Sequence, residues 1–166
     1  MTRHTQMLLA VVLPAVLGCG GEPSRNGNEA MRAGGTTVGE VTAIYDVLAI
    51  DSELGIIRNS ATETKPLSTA IRNYVSALDT VDFSACPEDF TEAFRYHRNA
   101  WEESIPFFEP FGDLRGEMHD LFEEIRDQSM DTRDALERVE VPIWDSWREV
   151  EAVAADYGAI EPPAGD

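Results

Sequence analysis

Residues 86–108, C-P-E-D-F-T-E-A-F-R-Y-H-R-N-A-W-E-E-S-I-P-F-F, form the stretch whose reading decides the fold. Its start is a helix start. Pro87 suits the first helical position, where a missing N–H costs nothing, and Glu88 and Asp89 face the positive end of the helix dipole. Phe90, Phe94, His97, Trp101, Ser104 and Phe108 then recur at spacings of four and three, which puts them on one face. That face predicts a central packing helix with one titratable group, His97, set in an apolar seam.

The flanking segments carry matching faces. Val41, Ile44, Tyr45, Leu48 and Ile56 fall at helical spacings and predict a first helix over 38–60, with Gly55 as a weak point. Leu67, Ala70, Ile71, Tyr74, Val75 and Leu78 predict a second, after a turn at Glu63–Pro66. Pro106 and the Pro110-Phe111-Gly112 run predict that the central helix ends or kinks within 105–112. Downstream, Leu114, Met118, Leu121, Phe122, Ile125, Leu136 and Val139 share a face, with a polar middle at Gln128, Ser129 and Thr132 where a kink is expected. Pro142 is read as the start of a last helix, with Ile143, Trp144, Trp147, Val150, Ala154 and Tyr157 inward and Gly158 as its stop. Short connections favour antiparallel neighbours, so the expected fold is all-α: an up-and-down bundle of four to five helices over 38–158. Residues 159–166 read as a disordered tail.

Composition bounds the partners. At 43% hydrophobic and 27% charged residues, the chain can fill a core. Thirty-one acids against thirteen bases give −18; residues 1–18 hold Arg3 and no acid, so their removal makes it −19. Such a surface repels phosphate backbones and disfavours nucleic acid, while keeping a small domain soluble.

The first nineteen residues carry an address. Arg3 precedes an apolar run, Met7–Leu17, that is too short to span a bilayer and fits the core of an export signal. Val16-Leu17-Gly18-Cys19 then resembles the lipobox of bacterial lipoproteins, with Leu17 a small departure from the usual Ala or Ser. The resemblance implies cleavage after Gly18, a diacylglycerol thioether on Cys19 and acylation of the new amino terminus, an anchor of several chains where one holds only marginally. Gly20 rather than Asp after the lipidated Cys resembles outer-membrane sorting in diderm bacteria, with the domain facing the periplasm. Residues 19–37, rich in Gly and without periodicity, read as a flexible lipidated linker, and its last eighteen residues would span about 23 Å.

Three residues are candidates for ligand binding: His97, Trp101 and Cys86. A His on a bundle seam can hold haem iron or a divalent metal, and His119, Glu123 and Met118 supply partners on paper. No Glu-x-x-His occurs, however, and Met118 and His119 point about 100° apart on a helix. The ordinary outcome is a core His bonded to a Tyr, a Ser or a backbone carbonyl. With Cys19 acylated, Cys86 is the one free thiol; the helix start lowers its pKa, whereas Glu88 and Asp89 oppose the thiolate. The carboxylates Glu102, Glu103, Asp120, Glu123, Glu124 and Asp127 read as solvated faces interleaved with Arg98, Arg115 and Arg126. The sequence has no Gly-rich phosphate loop, G-x-S-x-G or zinc-protease helix. The leading expectation is thus a lipid-anchored, acidic, non-catalytic binding or structural module of the bacterial cell envelope, without cofactor and with a membrane and an envelope protein as partners. The alternative is a haem- or metal-holding bundle built on His97.

Lipidation has a direct test. Cys19→Ser, or globomycin treatment, should shift the mature band or release the protein from membranes. A band and a membrane fraction that both stay unchanged would contradict the lipobox reading.

Overall fold

In the computed structural model, which describes residues 36–161, the chain is an all-α bundle. The signal segment, Cys19 and most of the linker lie outside the described residues. The helices are α1 (Val38–Ala61), α2 (Leu67–Leu78), α3 (Glu88–Phe108), α4 (Met118–Arg126) and α5 (Met130–Asp156), with a 3-10 turn at Glu109–Phe111. Thr37 and Glu40 cap α1 reciprocally: Thr37 Oγ1 accepts from Glu40 N at 3.2 Å, and Glu40 Oε2 accepts from Thr37 N at 2.7 Å. Gly158, at φ +73°, takes the left-handed conformation that stops α5.

Cross-helix pairings fix the directions. Early α3 meets late α5 where Asp89 accepts from Tyr157 Oη at 3.0 Å, and their middles meet at His97 and Ser146, 3.2 Å apart. These two helices are therefore antiparallel. Asp79 with Arg98 at 2.9 Å and Arg72 with Glu109 at 3.0 Å set α2 antiparallel to α3 in the same way. The core runs along α3, whose Phe90, Phe94, His97, Trp101, Ser104 and Phe108 are all buried, as the spacing predicts. Phe94 packs against Phe83 at 5.2 Å, and Phe108 stacks on Phe122 of α4 at 5.2 Å and 17°.

Several expectations need correction. Pro87 lies one position before α3 rather than inside it, and Pro106 is carried within the helix. The kink expected at the polar middle of 114–139 is a full break at Asp127–Ser129, and the last helix starts after it rather than at Pro142. Ser129 is extended (φ −166°, ψ 164°), and its Oγ accepts from Thr132 N at 3.0 Å, which caps the new helix. Pro142 sits inside α5 on an exposed face, where the carbonyl it leaves unpaired can turn to water. Of the positions expected inward on the last helix, Ile143, Val150 and Ala154 are buried, whereas Trp144 is 53% exposed. On α1 the buried positions are Ile44, Val47 and Asp51; Tyr45 and Ile56 face outward. Gly55 does not interrupt α1, and Ala159 and Ile160, expected in the tail, pack against the core.

Helix continuity through Pro142 predicts that Pro142→Ala raises stability by about 1–3 kcal/mol, while Ser129→Ala lowers it by about 1 kcal/mol. Thermal melts of the two variants check this. A neutral or destabilising Pro142→Ala would place a helix start there instead.

Candidate functional site

The third turn of α3 places His97 and Trp101 one turn apart on the buried face, where the indole N–H reaches back along the helix. Trp101 Nε1 donates to His97 Nε2 at 3.2 Å. An indole nitrogen can only donate, so Nε2 must hold a lone pair and the ring proton must sit on Nδ1. Nδ1–H then donates to Ser146 Oγ on α5, 3.2 Å away, and Ser146 Oγ donates in turn to Ile143 O at 2.9 Å. This line of donors runs in one direction from α3 into α5, and each link fixes the next. Burial of the ring and the nearby Arg58 charge push His97 down to about 4, so the imidazole is neutral at neutral pH.

A second buried pair lies beside it. Tyr74 Oη on α2 donates to Asp51 Oδ1 on α1 at 2.5 Å. Arg58, two turns past Asp51, lays its guanidinium over the Tyr74 ring at 4.5 Å and the Trp101 ring at 4.0 Å. Burial raises the Asp51 carboxyl, against the opposing pull of Tyr74 and Arg58. Burial likewise lowers Arg58, opposed by Tyr74 and Asp51, although a guanidinium stays charged at neutral pH. Tyr74 is raised, first by burial and then by Asp51, and therefore remains a phenol.

Above these groups opens a cleft of about 140 Å³ between α1, α2, α3 and α5. All three tryptophans of the chain line it: Trp101 in its floor, Trp147 with its ring 5.0 Å from His97, and the exposed Trp144 at the rim. Gly55 forms part of the α1 wall.

Two of the three candidate residues are thus brought together and the third is not. Cys86 lies half-buried ahead of α3, about three helical turns before His97, and does not line the cleft. Its thiol is raised by burial first and then by Asp82 and Asp46, rather than by Glu88 and Asp89. His119 and Glu123 are on exposed positions of α4, and Glu123 is paired with Arg126. Among the described residues no three His, Cys, Asp or Glu side chains gather as a metal-ion set. A metal at His97 would have to displace either the Trp101 donor from Nε2 or the proton that Nδ1 holds toward Ser146. Asp51, Arg58, Tyr74, Ser146 and Trp147 are site residues that sequence reasoning missed; the available signal was that Asp51 follows Ile44 and Val47 at helical spacing.

No protein family, curated protein or solved structure matches the chain.

The depressed His97 pKa sets a pH dependence. The unfolded chain takes up this proton near 6.5 and the folded protein only near 4. The stabilising contribution is therefore complete above about 6.5 and is lost as pH falls toward 4, at up to about 1.4 kcal/mol per pH unit. The melting-temperature gap between wild type and His97→Gln should shrink across that window. A gap that stays constant or widens would contradict the buried neutral imidazole.

Proposed function

We propose that the chain is a lipid-anchored, non-catalytic binding module of the bacterial cell envelope, held by Cys19 and presenting the three-tryptophan cleft. One observation carries the binding half of this reading: all three indoles converge on a single cleft whose buried polar side-chain atoms among the described residues are already paired. Aromatic walls over fixed polar groups are the composition of a recognition site. His97, the residue best suited to acid–base work, is held neutral with both nitrogens engaged, so the cleft recognises rather than reacts. The lipobox resemblance supplies the anchor half, and the −18 charge argues against a nucleic-acid partner.

Photo-crosslinking in intact cells tests the binding half. A benzophenone amino acid at Trp144, on the rim, should give a discrete adduct of the anchored protein. The same group at Glu124, exposed on α4, should give none. Equal labelling from both positions would contradict a cleft-centred binding module.

A further inference from the structure

The cleft holds two opposite charges, Asp51 and Arg58, that form no direct ion pair and are joined through Tyr74. Arg58 directs Nε and Nη2 to Asn59 Oδ1 at 3.3 Å, and its guanidinium also bonds Tyr74. Among the described residues no carboxylate lies within 4.0 Å of that guanidinium. Asp51 accepts from Tyr74 through Oδ1 and uses Oδ2 for no bond to the described residues. Arg58 is also pinned in place by its two ring contacts, so its guanidinium has a fixed direction and little rotamer entropy left to lose on binding.

Gly55 adds an independent observation. It lies inside α1 without a positive φ, a position where Gly costs about 1 kcal/mol relative to Ala. A Cβ there would meet only the end of the Arg58 side chain, at 3.9 Å. Neither backbone conformation nor packing asks for Gly; what its missing side chain does is hold the cleft wall back. The space left, about 140 Å³, is close to the roughly 150 Å³ of an apolar cavity that takes up benzene.

Charge decides the class of ligand. A simple anion facing Arg58 would also face Asp51 and the overall −18 of the chain. A simple cation facing Asp51 would meet Arg58 in the place where the aromatic faces already hold a cation. A zwitterion offers a carboxylate to the guanidinium and an ammonium to the free carboxylate oxygen. Carrying no net charge, it is neither drawn nor repelled by the chain's overall field.

We propose that the three-tryptophan cleft binds a small zwitterion with an aromatic or apolar body, of the α-amino-acid class, through the Arg58 guanidinium and Asp51 Oδ2. This deepens the binding-module reading and rests on it. The tryptophans themselves report occupancy. Titrating phenylalanine into the detergent-solubilised full chain, with selective tryptophan excitation, should change the emission saturably. 3-Phenylpropionate, which lacks the ammonium, and phenethylamine, which lacks the carboxylate, should each bind at least about tenfold more weakly, the loss of one charged hydrogen bond. Gly55→Leu should abolish the response without lowering the melting temperature, and Trp144→Ala, at an exposed position, should weaken it. The absence of a saturable response to phenylalanine would overturn the proposal, as would equal binding of either half-ligand or full binding by both variants. The Trp144 crosslinking result stands separately: an adduct with no phenylalanine binding defeats the ligand class alone, whereas loss of both defeats the binding module.

Discussion

The Trp101 indole N–H, buried on the inner face of α3, has His97 Nε2 as its acceptor at 3.2 Å. Because an indole nitrogen cannot accept, this one bond dictates the tautomer of His97, and the tautomer dictates that Ser146 Oγ accepts a hydrogen bond from Nδ1–H and donates its own to Ile143 O. Protonating His97 would set two N–H groups against each other inside the seam where α3 meets α5. The cost of leaving such a group unsatisfied, about 1–3 kcal/mol, is large beside ordinary domain stability. The polar line is therefore a constraint on the fold as well as a feature of the site.

Apolar packing flanks that line along α3. Phe90 and Phe94 fill the interior toward its start, and Phe108 closes the other end against Phe122 of α4. Between them, α1 contributes a charge where a hydrophobe would be expected. Asp51 is buried because Tyr74 donates to it, and Arg58 is held near because two aromatic rings accept its face. The cleft follows from this arrangement: the wall of α1 at Gly55 stands back, and Trp144 and Trp147 of α5 complete the opposite side.

How far this was legible in the sequence depended on how cleanly each helix was patterned. The inner face of α3 could be read residue by residue because its large apolar groups recur without competitors, and α2 likewise. On α1, Ile44, Tyr45, Val47, Leu48, Ile50, Ile56 and Ile57 spread apolar side chains around the circumference, so periodicity could not choose a face. The true face included Asp51, which a hydrophobic pattern discards. The last helix was misplaced because proline was weighed above a cap: Pro142 tolerates an interior position on the solvent side, and the Ser129 Oγ to Thr132 N bond supplies the real start. His97 and Trp101 could be nominated from one segment alone. Their partners Tyr74, Ser146 and Arg58 come from other helices, and no local spacing relates them.

The polarity of the buried line is open to direct observation through the imidazole nitrogens of His97. With ¹⁵N-labelled histidine, the chemical shifts at neutral pH should show a protonated Nδ1 and an unprotonated, hydrogen-bonded Nε2, with this neutral form persisting as the solution is acidified below 6.5 toward 4. An Nε2–H tautomer, or an imidazolium already formed near 6.5, would contradict the account, because neither can accept the proton that Trp101 offers.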